Sequence, residues 1–466
     1  MKKLLIISTN FPPSISIGTQ RILRICKFLD PVNWGVSILT LKENYYPDLS
    51  HRTDDDKDEL LAKLKIHRTG KVDPVFYLLN LRESLRGKSN GAINANGAAK
   101  PRPKPKQDPG SEGAQDYSDK IKQKKSLWQQ IKDFFTDIMQ FPDKNITWLP
   151  LAVWRGYRVI RKQKIDVIFS SSPPHSLHLI SAILKRLTGR KLVVDFRDPW
   201  ARSPWHDEER ELNRFEQWKH QRIVKFEDWV VRTADKVILV TREMREDYVK
   251  AYPHLPAEKF IWFSNGYDPD QVQPLLQPNG RDIQPEKVKF IHAGSLYKYR
   301  NPTPIIHALK HLVDKNQIDR NGIEFLFIGG ITPDQAHTPG LVKEMGIDDI
   351  VKFMPPVSYN TVMQYMLESH VLILLQPVTQ LQLPGKFFDY LCLQKPILAV
   401  AEKNSSTEHM VGSDFGVFAD FNDVADVEKA IAFLYHHPYF NSEVIREKRE
   451  AYNMAKSIRQ FEKIIK

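Results

Sequence analysis

The sequence predicts an α/β protein built from two doubly wound parallel-sheet units. Three observations carry this. Short apolar runs alternate with helical periodicity almost throughout the 466 residues, which is the pattern of βαβ units. Most of those runs are apolar on both faces, as strands are when helices cover a parallel sheet from both sides. A Pro/Gln/Asn-rich stretch, Pro269–Pro285, divides them into two groups and reads as an interdomain linker.

Taken in order, the first strand is Leu4–Ile7. The opening MKKLLIISTNFPP mimics a signal peptide, but its apolar core is far shorter than the roughly 7–15 residues such a segment needs, and Asn10 and Pro12-Pro13 follow at once. Further strands are expected at Val36–Leu39, Val167–Phe169, Leu192–Val194, Val237–Val240 and Phe260–Phe263. The second half adds Lys289–His292, Phe325–Ile328, Val371–Leu375 and Ile397–Val400. Helices fall between them. Gln20–Leu29 sets Ile22, Leu23, Ile25, Cys26 and Leu29 on one stripe. Ser176–Leu187, Arg242–Ala251, Pro304–Lys315 and Tyr359–Ser369 follow the same spacing. Gly87–Lys125 is nearly empty of large apolar residues and is expected to be a disordered or mobile insert. Trp128–Phe141 after it has amphipathic helical spacing, suited to a core or to a membrane-surface helix. The tail Ser442–Lys466 reads as one long amphipathic helix.

Composition narrows the function. A net charge of +12 points to anionic company such as nucleotide diphosphates, acidic headgroups or nucleic acid. No nucleic-acid motif supports the last, so no nucleic-acid partner is expected. Cys26 and Cys392 both lie in apolar helical patterns and are expected to be buried thiols in a reducing compartment. No Cys/His cluster has zinc spacing, and no apolar run approaches the roughly 20 residues that span a bilayer. The expected location is cytoplasmic, with peripheral contact at the inner face of the membrane as a further option.

The most informative segment is Leu383–Val400, LPGKFFDYLCLQKPILAV. Its Pro384-Gly385-Lys386 loop opens a short helix carrying Asp389. Free N–H groups and the positive end of the helix dipole suit a phosphate, and an acid one turn in can take hydrogen bonds from sugar hydroxyls. A helix start with Asp389 in solvent is the plainer alternative. Other candidates sit where strands end, the usual ligand side of such sheets. Gly18 follows the first strand and allows close backbone approach, or simply a turn. His175, in SSSPPHSLH, can orient a sugar hydroxyl or be incidental. Asp195, in VVDFRDPW, can grip polar ligand groups or join an ion-pair network with Arg197 and Asp198. Asn265-Gly266 forces a turn before the linker. Gly294, Ser295, Lys298 and Arg300, in GSLYKYR, can neutralise a diphosphate. Gly329-Gly330 suits close approach of a nucleobase or ribose. Asp54-Asp55-Asp56 reads as a solvated surface run.

Together NFPPSISIGTQRILRICKFL, FPDKNITWLPLA, DVIFSSSPPHSLHL, VVDFRDPW, SNGYD, HAGSLYKYRNP and LPGKFFDYLCLQKPILAV resemble glycosyltransferase family 4, of the GT-B fold. The resemblance covers most of the chain apart from the insert. It implies two Rossmann-like domains facing a cleft: residues 1–268 for the acceptor, residues 286–440 for a nucleotide-sugar donor, and a tail over 442–466 that crosses back to the first domain. The family holds the donor diphosphate with an Arg and a Lys, and here Ser295 and Arg300 stand in those places, with Lys298 as the candidate replacement. Of the family's E-x7-E pair, Asp389 matches the second acid and Leu381 replaces the first. The family's active-site His aligns nearest Ser171, four residues from His175.

The resulting expectation is a retaining glycosyltransferase that moves a sugar from a nucleoside-diphosphate donor to a glycan or lipid-linked acceptor, in bacterial surface polysaccharide assembly. The donor is a substrate, and no cofactor or metal is expected. Catalysis is expected from His175, Asp195, Arg300 and Asp389. Donor binding is expected from Gly18, Gly294, Ser295, Lys298, Arg300, Gly329, Pro384, Gly385, Lys386 and Asp389. A nucleotide-sugar 2-epimerase and a non-catalytic scaffold are the rival readings.

Overall fold

The computed structural model describes residues 1–14, 16–46, 55–72, 136–202, 213–272, 287–439 and 442–466. The expected insert, most of the Trp128–Phe141 helix, Asp54 and most of the linker lie outside them. The linker's first residues, Pro269–Val272, form a single helical turn.

Two all-parallel sheets form the scaffold. The first has strands β1 (Lys2–Ile7), β2 (Trp34–Leu41), β3 (Lys65–Thr69), β4 (Val167–Ser172), β5 (Lys191–Phe196), β6 (Lys236–Leu239) and β7 (Phe260–Trp262), in the order β3-β2-β1-β4-β5-β6-β7. The second has β8 (Val288–Ala293), β9 (Ile323–Ile328), β10 (Val351–Met354), β11 (Val371–Gln376), β12 (Ile397–Ala401) and β13 (Gly416–Asp420), in the order β10-β9-β8-β11-β12-β13. Each order reverses beside its first strand, so crevices open at the carboxyl ends of β1/β4 and of β8/β11.

Alternation along the strands explains the packing. Leu5, Ile7, Ile168, Val194 and Leu239 face one core, covered by helices Leu149–Gln163, Ser176–Thr188 and Arg214–Thr233. Leu4, Ile6, Phe169, Val193 and Ile238 face the other, covered by Ile17–Phe28 and the last helix. The second sheet repeats the scheme with Phe290, Phe325 and Ile373 on one side and Ile291, Leu372 and Leu374 on the other.

The tail departs from the single helix expected. Ser442–Arg449 belongs to the second lobe, Glu450–Tyr452 is a 3₁₀ turn, and Met454–Ile465 packs on the first lobe. Asn453 makes the break, because its side chain takes a hydrogen bond from the Ala455 N–H and starts a new helix there. At the crossing, Tyr267 N–H donates to Tyr452 O and Met454 N–H donates to Tyr267 O, both at 3.0 Å. Phe461 then fits against Phe169 edge-on, with ring centroids 5.2 Å apart.

Candidate active site

The second lobe's switch point holds an unusual pair of cations. Lys386 opens the helix Lys386–Leu393 that follows β11 and its loop. Its Nζ lies 3.2 Å from His292 Nε2 and donates to Ala293 O at 3.3 Å. His292 Nδ1 sits 3.1 Å from Ile373 O; a carbonyl only accepts, so Nδ1 carries the proton and Nε2 turns its lone pair to Lys386. Two of the ammonium's three N–H groups are thereby used. The third has the space over Gly294, whose φ is 143° and where a Cβ would stand 3.2 Å from Nζ. Burial, and then the nearby Arg300 charge, push Lys386 well below the usual lysine range. Burial and Lys386 do the same to His292. Arg300 rests over the Tyr297 ring, 5.2 Å from its centroid, with its Nε buried and without a hydrogen-bond partner. Among the described residues no carboxylate forms an ion pair with Lys386 or Arg300. Two adjacent cations without an anion are costly, and a bound anion would relieve that cost.

Glycines make this geometry possible. Gly329 follows β9 at φ 155°, and a Cβ there would lie 2.4 Å from Gly294 O. The close approach expected of Gly329-Gly330 is therefore to the neighbouring 294–295 backbone. Ser295 is exposed, its Oγ 3.4 Å from where a Gly330 Cβ would be. Lys298 is exposed and turned onto the Tyr299 ring, outside the Lys386–Arg300 pair. Lys386, three residues before Asp389 on one helix face, supplies the second cation instead.

Asp389 meets the first lobe. Arg24 Nη2 lies 3.5 Å from its Oδ1, and Arg24 also donates to Gly266 O at 2.5 Å. Burial raises the Asp389 carboxyl and Arg24 pulls it back. Arg21, Arg24, Asn265, Gly266, Gly385 and Phe388 line a small pocket where the lobes meet. Leu381, at the place of the missing acid, packs against the first core, and its carbonyl accepts from Thr241 Oγ1 at 2.8 Å. Glu243 adds contacts to Ser406 Oγ at 2.8 Å and His409 Nδ1 at 2.9 Å. Pro384 is buried beside Gly385, the residue preceding the helix; no side chain caps this start, and the Phe387 and Phe388 N–H groups donate to Pro384 O at 3.0 Å and Gly385 O at 3.2 Å.

The first-lobe candidates are gathered into an internal network. Asp195 is fully buried and receives Arg21 Nε at 2.9 Å, Arg21 Nη2 at 2.7 Å and Ser171 Oγ at 2.6 Å. Arg21 also donates to Ser264 O and to Asn265 Oδ1. Asp195 thus ties β5 to the first helix and to the Asn265-Gly266 turn, and its geometry is that of a structural acid. Gly18 lies under Arg197, since a Cβ there would come within 2.2 Å of its Nη1. Arg197 Nε in turn donates to Ser172 O at 2.7 Å. His175 stacks on Trp200, with centroids 5.1 Å apart and planes 8° off parallel, at the start of Ser176–Thr188. Its neighbour His178 is buried against Ser170 Oγ, and burial pushes it down to about 3, so it stays neutral. Sequence patterns did not single out Arg24 or His292. A lone histidine inside the apolar run KFIHA was the available signal for the second.

Comparison with known proteins agrees with this architecture. The family model for Glycosyltransferase Family 4 matches residues 124–271, and that for Glycosyl transferases group 1 matches residues 277–454. A curated relative, D-inositol 3-phosphate glycosyltransferase of Streptomyces bingchenggensis, is 24% identical over 161 residues, which is 32% of this chain and 34% of that protein. The match thus spans about a third of the length of the curated relatives. Among solved structures, sucrose-phosphate synthase from Thermosynechococcus elongatus aligns with a TM-score of 0.63 at 13% identity, covering 100% of this chain and 98% of that one. Anabaena Alr3699/HepE, solved in complex with UDP, aligns with a TM-score of 0.58 at 12% identity, covering 100% and 99%. With the two family models together matching most of the chain, the later part of the first lobe and nearly all of the second, and the GT-B arrangement shared end to end, the chain belongs to the family 4-like glycosyltransferases of the GT-B fold.

Proposed function

We propose that this chain is a retaining, metal-independent glycosyltransferase whose second lobe holds a nucleoside-diphosphate sugar and whose first lobe receives a glycan or lipid-linked acceptor. The observation that carries the donor half is the Lys386–Arg300 pair, part-buried at the switch point beside His292 with no carboxylate partner among the described residues. A diphosphate supplies the missing negative charge. As the sugar departs, charge grows on the leaving phosphate, and the third N–H of Lys386 and the Arg300 guanidinium are aimed to stabilise it. Asp389 takes the ribose hydroxyls once Arg24 turns away, so donor binding and lobe movement are coupled. Protein cations fill the place a metal would take. Surface polysaccharide assembly in the cytoplasm, at the membrane's inner face, is the setting we infer, and the UDP complex of Alr3699/HepE makes uridine the first base to try.

The test is a screen of nucleoside-diphosphate sugars for release of free diphosphate with and without glycan acceptors, the anomeric configuration of the product deciding retention. Turnover of donor to an epimer without acceptor would replace this reading with the epimerase.

A pH consequence follows from Lys386. Its affinity for protons in the empty fold is below that of the unfolded chain. The unfolded state therefore binds more protons in the interval between the two values, and the empty protein gains stability as pH rises through it. A bound diphosphate raises the lysine again. Calorimetry of UDP binding at a series of pH values below the ordinary lysine range, in buffers of different ionisation enthalpy, should show net proton uptake that grows with pH, and the uptake should vanish in Lys386→Met.

A further inference from the structure

We infer that His292 and Tyr390 are positioning residues for Lys386: with the backbone of Ala293 and Ile373 they close a ring of hydrogen bonds that fixes the ammonium's rotation and leaves one N–H, over Gly294, for an oxygen of the donor diphosphate. This rests on the donor reading above, and the measurements below separate the two.

Tyr390 stands one turn after Lys386 in the helix Lys386–Leu393, so the two side chains share a face. His292 and Tyr390 are both sealed from solvent. The Ala293 N–H donates to Tyr390 Oη at 3.3 Å, and the phenol passes its own proton to Ile373 O at 3.2 Å. The same carbonyl takes His292 Nδ1–H at 3.1 Å. Nε2 then has only a lone pair to offer, and it accepts from Lys386 Nζ at 3.2 Å. Lys386 closes the ring on Ala293 O at 3.3 Å. Every proton here has one direction. A backbone N–H donates, a carbonyl accepts, a phenol holds one proton, and a neutral imidazole donates at one nitrogen and accepts at the other. The opposite tautomer would set a lone pair against Ile373 O and an N–H against the ammonium.

Packing alone does not ask for this arrangement. Tyr390 belongs to the apolar cluster of Ile291, Leu372 and Leu374, where phenylalanine would fill the same space with no polar group to satisfy. Phe327 lies beside the imidazole, with ring centroids 6.0 Å apart. The charged groups that act on His292 are Lys386 and Arg300, both positive, and burial together with Lys386 keeps the ring neutral. A neutral acceptor is what the site needs. A carboxylate in its place would cancel the charge of Lys386 and compete with the diphosphate. Imidazole tethers the ammonium and leaves its charge to the ligand, with the ordering of a long side chain completed before the ligand arrives. His292 and Tyr390 therefore act through Lys386 and have no use without it.

The test is calorimetry of UDP binding to the full chain and its variants, with melting temperatures to show that each is folded. His292→Phe should weaken UDP by about tenfold, the worth of one hydrogen bond to a charged group. His292→Gln, whose Oε1 replaces Nε2 as the acceptor, should recover most of that. Tyr390→Phe should weaken UDP by about threefold. The deciding comparison is the double variant. With Lys386→Met already present, adding His292→Phe should cost less than about twofold, because no ammonium is left to place. Should His292→Phe not fold, Tyr390→Phe in the two backgrounds gives the same comparison. Equal losses in both backgrounds, no loss in either, or no recovery by glutamine would overturn the inference, while a weakened Lys386→Met would leave the donor reading standing. Undiminished UDP binding by Lys386→Met would end both.

Discussion

Lys386→Met should lower kcat/KM for the donor by about 10²–10³-fold, because removing one member of a buried, hydrogen-bonded charge pair costs ~3–4 kcal/mol. The same substitution should make the empty protein more stable. Lys386 is a part-buried cation beside Arg300, with a neutral histidine and a carbonyl as its partners. Methionine has similar length and no charge to desolvate, so the unliganded melting temperature should rise by about 2–4 °C for each kcal/mol recovered. Activity lost while stability is gained is the signature of a group kept for binding. A lysine that merely packed the fold would lose both together. Thermal melts with and without UDP give the comparison directly: the parent chain should shift with ligand, and the variant should start higher and shift little.

Asp195→Ala should do the opposite. The carboxylate and the Arg21 guanidinium are both buried from solvent and joined through two hydrogen bonds. Breaking such a pair strands a buried charge at ~3–5 kcal/mol, which corresponds to a melting temperature lower by about 10 °C. Arg21 also holds the Ser264 and Asn265 turn, so the loss should spread to the lobe junction. Donor KM in the surviving folded fraction should change little. The double substitution Arg21→Met with Asp195→Leu should recover much of the stability, since it removes both charges together. A loss of turnover with an unchanged melting temperature would instead return Asp195 to a catalytic role.

The parts of the fold that sequence patterns reveal and the parts they hide differ for physical reasons. All ten strands expected from apolar runs are present, and nine of them lie inside their sheets, with Phe260–Trp262 at an edge. The three that patterns miss, Lys65–Thr69, Val351–Met354 and Gly416–Asp420, are all edge strands. Edges are half solvated and carry charges such as Lys65, Arg68, Lys352 and Asp420, so the both-faces-apolar signal fails there. The tail's division at Asn453 is invisible to hydrophobic spacing, since both helices keep an apolar stripe across the break. At the site, Lys386, Gly385 and Asp389 are legible because glycine, lysine and acid fall within one turn. The Arg24–Asp389 and Thr241–Leu381 contacts join residues hundreds and more than a hundred positions apart, and only the docking of the lobes brings them together. Lys298, expected as the replacement cation beside Arg300, is an exposed loop lysine turned onto Tyr299.

The direct measurement is a crystal structure with a nucleoside diphosphate soaked in. Diphosphate oxygens within about 3 Å of Lys386 Nζ and of the Arg300 guanidinium, with Arg24 withdrawn from Asp389, are the expected result. A diphosphate bound elsewhere, with Lys386 still against His292 and Arg24 still on Asp389, would contradict it.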